Sequence, residues 1–279
     1  MIRPKKHLGQ HFLHDENIAR KIIGYLPDKA INILEIGPGT GILTKYLLDN
    51  KNFTSFFLEI DPESVRFLNQ TFPEIADKLI HADVLHYDLS QIPAPFTIIG
   101  NFPYNISTQI LFKVIEYRKV IPEVIGMFQK EVAERLVAEP GGSEYSRLTV
   151  AAALRAEIRI QGIYPPDSFY PPPGVESAVV SLKRRKRADI ADEDWIWLDD
   201  TLKALFSQRK RKLRKALDTY SKLKRLAPGV ALANINEGLL GKRVFELEPS
   251  DFLYLSRILK SAPGNSLSSS NQEYGSEVN

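Results

Sequence analysis

A β-branched run, Thr97-Ile98-Ile99, ends at Gly100 and runs straight into Asn101-Phe102-Pro103-Tyr104. These residue types suit one task, holding a flat ring that carries an amine. An Asn side chain and the backbone carbonyl ahead of a rigid proline turn can both accept hydrogen bonds from an exocyclic amine. A tyrosine ring one residue later can lie on the face of the base that bears it. Taken alone, the same four residues also describe a turn, since Asn and Pro are common turn formers and Tyr often caps a core.

Three further groups recur at comparable places. Glu35-Ile36-Gly37-Pro38-Gly39-Thr40-Gly41 follows the apolar run Ala30–Ile36 and precedes a helical pattern, Ile42–Leu48. A strand, a glycine loop and a helix let a ligand approach the backbone and use free N–H groups. The spacing is Gly-x-Gly-x-Gly, tighter than the Gly-x-Gly-x-x-Gly of pyrophosphate binders. Glu59 closes the next apolar run, Thr54–Ile60, about 20 positions past the loop, where an acid can accept from both ribose hydroxyls. Asp83 follows a short strand-like segment near Lys78–His81. Each acid alone also reads as a strand-end or capping residue. Together, the four groups fall at successive strand ends, which in an open α/β sheet converge on one crevice.

The elements that must hold them follow from periodicity. Asn17–Leu26 is amphipathic, and strands and helices then alternate as far as a helix over Lys130–Glu139, which predicts an α/β doubly wound sheet. Tyr145–Ala153 reads as helix. Phe169-Tyr170-Pro171-Pro172-Pro173-Gly174-Val175-Glu176-Ser177 is a stiff loop that no helix or central strand would contain, and Ala178–Leu182 returns to strand. Helical patterns follow over Asp194–Phe206, Lys210–Tyr220, Ala231–Glu237 and Pro249–Leu259. The expected organisation is a Rossmann-like domain over 1–187, a small all-helical domain over 188–263 and a disordered tail over 264–279, rich in Ser, Asn and Gly.

The 279-residue chain is 43% hydrophobic and 25% charged, as in ordinary globular proteins, and has no apolar run of the roughly 20 residues that span a bilayer. It has no cysteine, which excludes disulfides, thiol nucleophiles and thiolate metal sites. A cytoplasmic location is expected. Net charge is only +3, but the cations are clustered in Lys183-Arg184-Arg185-Lys186-Arg187 and in Arg209-Lys210-Arg211-Lys212-Leu213-Arg214-Lys215. Such blocks suit a phosphate-rich partner, or else a basic linker or solvated face.

With these residues in view, the sequence resembles the ribosomal RNA adenine dimethyltransferase family. The resemblance is carried by Gly9–Leu13, Glu35–Gly41, Glu59, Asp83, Asn101–Tyr104 and Phe169–Val179, and spans about Lys5 to Lys215. It implies a Rossmann-like methyltransferase fold and S-adenosyl-L-methionine as cofactor, with no metal. By motif position it implies Gly37, Gly39 and Gly41 around the cofactor, with Gly37 under its methionine part. Glu59 would lie on the ribose, Asp83 on the adenine amine, and His11 and Leu13 would close the site. The family usually has Asn at the position of His11 and Leu at that of Phe102.

Asn101, Pro103 and Tyr104 would be the catalytic set, with Asn101 bridging cofactor and base, and Tyr104 and Phe169 would sandwich the base. The basic helix, Arg209, Lys210, Arg211, Lys212, Arg214 and Lys215, would bind RNA. The implied reaction is dimethylation of two adjacent adenosines in the terminal hairpin loop of small-subunit ribosomal RNA, by a monomer acting on an immature subunit. The alternatives are the related large-subunit methylase of macrolide resistance and a non-catalytic assembly factor on the same scaffold. An NAD-linked dehydrogenase fits less well, given the glycine spacing.

Overall fold

The computed structural model describes residues 2–185, 190–227, 229–232 and 234–267. Two compact units emerge: residues 1–134 with 155–185, and residues 135–154 with 186–279.

In the first unit, β1 (Phe12–Leu13) leads into α1 (Glu16–Gly24), whose N-cap Asp15 accepts from Asn17 N at 2.8 Å and Ile18 N at 3.2 Å. The order continues with β2 (Asn32–Ile36), α2 (Thr44–Asp49), β3 (Thr54–Glu59), α3 (Pro62–Thr71), β4 (Leu79–His81), β5 (Phe96–Asn101), α4 (Ser107–Glu116) and β6 (Glu123–Gln129). Next come α5 (Lys130–Leu136), which crosses the boundary between the units, α6 (Arg147–Ala153), β7 (Ala156–Tyr164), β8 (Phe169–Tyr170) and β9 (Ser177–Arg184).

The sheet order is β4-β3-β2-β5-β6-β9-β7. Strands β2 to β6 are parallel, and β9 and β7 pair antiparallel at one side. The chain builds outward from β2 to β4, then returns to lay β5 on the other side of β2. That reversal is the switch point beside which such sheets bind ligands, and Gly37 and Asn101 follow or end the two strands that flank it.

Parallel strands are buried on both faces, hence the nearly unbroken apolar runs. Ile33, Phe57, Ile99 and Ile125 join a core with Ile18 and Ile22 of α1 and Leu47 of α2. Each such burial contributes roughly 1.5–3 kcal/mol. Strand β7 was not foreseen: Glu157, Arg159 and Gln161 interrupt its apolar residues, and it takes the sheet edge, where polar side chains are tolerated.

The second unit holds α6, α7 (Asp192–Phe206), α8 (Leu213–Leu223), α9 (Glu237–Gly241) and α10 (Pro249–Lys260). Rings of Phe206 and Phe252 stack with centroids 5.2 Å apart, and Tyr145 Oη donates to Leu247 O at 2.7 Å. The Tyr145 bond, with its ring centroid 6.0 Å from that of Phe206, explains why 135–154 belongs here rather than to the first unit, as the expected boundary at 187 had it. That boundary, Lys186, Arg187 and positions 268–279 of the expected tail lie outside the described residues. No helix among the described residues is long and apolar enough to cross a membrane.

Candidate active site

Asn101 is the last residue of β5 and projects where the sheet gives way to loops. Its Nδ2 donates to the His11 carbonyl at 2.7 Å, while its Oδ1 is buried with no hydrogen-bond partner among the described residues. Phe102 fixes the turn that follows. Gly100 and Gly126 pair across β5 and β6, and a Cβ on either would run into the Phe102 ring, so the two glycines form the groove it fills. Phe102 is 1% exposed, and its ring meets Phe128 edge-on at 5.1 Å. Pro103 closes the turn by accepting from Ile106 N at 3.2 Å. Tyr104 is half-buried, its hydroxyl hydrogen-bonded to Ser177 Oγ. Burial pushes its phenol up, so it stays neutral and is no base.

Asn101, Pro103 and Tyr104 line a cleft of about 450 Å³, open mouth included, together with Gly37, Gly39 and Glu59. The glycine loop is not the anion cradle its spacing allowed. Gly37 N–H donates to Leu58 O at 2.9 Å, Gly39 N–H to Glu59 Oε2 at 3.0 Å and Gly41 N–H to Pro38 O at 2.8 Å. With these donors used internally, the loop offers close approach rather than phosphate binding, which counts against a dinucleotide. Gly37 has φ +68°, and a Cβ there would meet only Pro103, at 3.9 Å, so its lack of a side chain keeps the cleft open.

Glu59 is 4% exposed. Its oxygens accept from Gly39 N and, at 2.9 Å, from Asp61 N. Burial pushes its carboxyl up while those backbone bonds oppose the shift. Each oxygen keeps a lone pair, the provision that two neighbouring hydroxyls require.

The N-terminal segment closes one side of the cleft, with Gln10, His11 and Phe12 in its lining. Lys5 pairs with Asp61, and Gln10 Nε2 donates to the same carboxylate at 3.1 Å. Burial pushes the Asp61 carboxyl up, but the bonds from Lys5 and Gln10 outweigh it and hold the group below the usual carboxylate range. Asn105 Nδ2 donates to His7 O at 3.2 Å, and the Phe12 ring covers Gly39. Sequence reasoning missed Gln10, Phe12 and Ile60 as lining residues; Gln10 carried no periodic or motif signal beyond its place in Gly9–Leu13.

Four expected site residues are not brought to the cleft. A Cβ on Gly41 would fall in the Phe72 ring, so this glycine serves packing. Leu13 is 2% exposed and belongs to the core. Phe169, its β1–β8 partner, is likewise 2% exposed in the core; the exposed ring of that loop is Tyr170, at 60%. Asp83 accepts from Leu85 N at 2.8 Å and lies 2.9 Å from His86 Nδ1, as a turn residue beyond β4. What lies on Tyr104 instead is the His11 imidazole, with centroids 5.2 Å apart.

The ribosomal RNA adenine dimethylase profile matches residues 1–246. The chain belongs to the ribosomal RNA adenine dimethylase family. It is 41% identical to ribosomal RNA small subunit methyltransferase A of Cytophaga hutchinsonii, across 92% of this chain and 98% of that one. A dimethyladenosine transferase from Plasmodium falciparum superposes with a TM-score of 0.73 at 27% identity, over 88% of this chain and 96% of that one. The 23S rRNA methyltransferase ErmE shares the fold, with a TM-score of 0.62 at 23% identity over 90% of this chain and all of its own. The α/β sheet is thus a methyltransferase sheet, and the protein is an enzyme of rRNA adenine methylation.

In this dimethylase the second basic block is not one helical face. Helix α8 begins only at Leu213, because Leu213 N donates to Lys242 O at 2.8 Å and Val244 N to Arg211 O at 3.0 Å, pairing the two stretches side by side. Arg209 is structural: Nη2 donates to Gly142 O at 3.2 Å and Ser143 O at 2.7 Å, and its guanidinium lies 5.7 Å from the Phe245 ring centroid. Arg214 pairs with Glu237. Lys210, Arg211, Lys212 and Lys215 are exposed, and the backbone pairing sets exposed Lys242 beside them. No local pattern points to that neighbour, some thirty positions further on. Among the described residues there is no cluster of three metal-ligating side chains.

Proposed function

We propose that the chain transfers methyl groups from S-adenosyl-L-methionine to the exocyclic amines of two adjacent adenosines in the terminal hairpin loop of small-subunit ribosomal RNA, within an immature subunit. The observation that carries this reading is the buried, partnerless Oδ1 of Asn101 beside Tyr104. A buried acceptor without a donor is destabilising by about 1–3 kcal/mol, and an adenine amine supplies the donor.

The cleft suits the cofactor. Glu59 offers two acceptors to ribose hydroxyls, and Gly37 leaves room for a close-lying chain. The cofactor when bound supplies an already activated methyl, so no metal or covalent intermediate is required of the protein.

The residues then have two tasks. The adenine amine is a poor nucleophile because its lone pair is delocalised into the ring. Acceptors at Asn101 Oδ1 and at the Phe102 or Pro103 carbonyl favour a pyramidal nitrogen and free that pair. Tyr104 holds the ring plane, so that the nitrogen points along one line. Alignment of two reactants contributes up to roughly 7–11 kcal/mol. The methylated nitrogen is acidic enough to lose its proton without a strong base, consistent with a cleft that has none at the amine. The base must leave its stack to enter. The exposed cations from Lys210 to Lys215, with Lys242, provide phosphate contacts that stacking on one ring cannot replace.

Methyl incorporation into unmodified small and large ribosomal subunits, assayed side by side and followed by mass analysis of the RNA, tests the reading. Dimethyladenosine confined to the small subunit is expected. Label in the large subunit alone would transfer the enzyme to the other class of rRNA, and no label in either would leave a binding factor.

A further inference from the structure

One face of Tyr104, the ring proposed to hold the target base, is already covered. The His11 imidazole lies over it, ring centroids 5.2 Å apart and planes inclined by 28°. Aromatic rings with centroids about 4.5–7 Å apart are in direct contact, so nothing fits between these two. A base cannot stack on this face while His11 stays.

The imidazole and its backbone are held very differently. The main chain is fixed on both sides of the ring: the His11 carbonyl accepts from Asn101 Nδ2 at 2.7 Å, and Leu13 pairs with Phe169. The preceding Gly9 is also locked, with φ +63° and no room for a Cβ beside Asn105. The ring itself is tied by one hydrogen bond, Nδ1 to Pro171 O at 2.7 Å, and by the stack on Tyr104. It is half-buried and turns on two side-chain torsions. The ring can leave without the backbone moving, so the Asn101 amide keeps its orientation.

We propose that His11 is a placeholder for the target base: its imidazole covers Tyr104 until a flipped adenine displaces it by rotation of the His11 side chain. This rests on the base-binding role of Tyr104 given above. Displacement exchanges one aromatic stack for another, and exchanges the bond from His11 Nδ1 to Pro171 O, which water can replace once the ring is out, for a bond to Asn101 Oδ1, which the imidazole leaves unsatisfied. A site open only part of the time weakens every ligand by the fraction of time it is open. His11 therefore lowers the occupancy of all bases by the same factor, and only a base that makes both the stack and the amine bond stays bound. The placeholder also keeps Tyr104 out of water between turnovers.

The test uses the full chain and an RNA hairpin whose loop carries two adjacent unpaired adenosines, one replaced by 8-vinyladenosine, a fluorescent analogue that keeps the 6-amine. Its fluorescence falls when the base stacks on a ring. His11→Ala and His11→Asn both remove the ring, and each is expected to tighten the half-saturation of quenching by about fivefold or more, the equilibrium equivalent of losing one competing stack. In the wild-type chain, the His11 proton resonances, shifted by the Tyr104 ring, are expected to move to unstacked positions as unlabelled hairpin is added. Equal or weaker quenching in both variants would overturn the proposal, the weaker result making His11 a second wall of the base slot. Resonances that stay fixed while the base stacks would also overturn it. Tyr104→Ala separates this from the underlying reading: if quenching survives loss of the tyrosine, the base does not use that ring at all.

Discussion

Asn101 donates to the main-chain carbonyl of His11, 90 positions earlier, and that bond decides which end of its amide is left for a ligand. With Nδ2 committed, Oδ1 is the free atom, an acceptor with no partner among the described residues. Asn101→Asp keeps an oxygen at the site but sets a carboxylate against a carbonyl, removing the donor that orients the group. Both Asn101→Asp and Asn101→Ala are expected to lower single-turnover methyl transfer by about a hundredfold or more, roughly 2.7 kcal/mol of barrier. Wild-type rates in Asn101→Asp would show that orientation by His11 is dispensable.

Glu35 lies at the end of β2, fully enclosed, with Thr44 Oγ1 donating to its Oε2 at 2.7 Å. Burial, opposed by the Thr44 bond and reinforced by Glu59, pushes its carboxyl from 4.5 up to about 8. Between those values the folded protein holds a proton that the unfolded chain has released, so stability falls as pH rises, by at most about 1.4 kcal/mol per pH unit. Below 4.5 this contribution is flat. Glu35→Gln keeps an acceptor for Thr44 and cannot ionise. Urea midpoints measured from pH 5 to pH 8 should therefore fall less steeply in the variant, with the variant gaining on the wild type as pH rises. Parallel slopes would show that Glu35 is not held protonated.

The parallel core and the strand-end groups were legible because burial on both faces leaves an unbroken apolar run and each chemical group interrupts one. Strand β7 was not read, although Ala156-Glu157-Ile158-Arg159-Ile160-Gln161 alternates apolar and polar as a half-buried edge strand does; it lacks the unbroken apolar run by which the other strands were recognised. The start of α8 was misplaced for a related reason. A run of Lys and Arg has no apolar period, and what stops the helix at Leu213 is a backbone bond to Lys242. Phe169 carried the right residue type for base stacking, but its neighbours in space, not in sequence, decide that it fills the core. The contacts from His11 to Tyr104 and Pro171 span 93 and 160 positions, beyond any local pattern.

Two glycines of one loop are expected to fail differently. Gly37 and Gly41 both have positive φ, +68° and +78°, so alanine at either strains the backbone by about 1–2 kcal/mol. At Gly41 the added methyl also displaces the Phe72 ring, which packs against the core, whereas at Gly37 it enters the cleft beside Pro103. Gly41→Ala should lose more stability in urea, and Gly37→Ala more affinity in calorimetric titration with S-adenosyl-L-methionine. Equal loss of affinity per folded molecule would place Gly41 at the cofactor after all.

The basic block divides into cations that hold the fold and cations that face outward, and salt dependence separates them. Each phosphate contact contributes about 0.7–0.9 to the slope of log affinity against log salt. Replacing Lys210, Arg211 and Lys212 together by alanine should flatten that slope for ribosomal RNA by about 2–3 and leave the urea midpoint near wild type, because these side chains are exposed. Arg209→Ala should do the reverse. It removes the donor to Gly142 O and Ser143 O and the contact with Phe245, so the second unit loses stability while the salt slope stays the same. If Arg209→Ala flattened the slope as much as one of the exposed cations does, its guanidinium would have to reach phosphate, which its two carbonyl bonds do not allow.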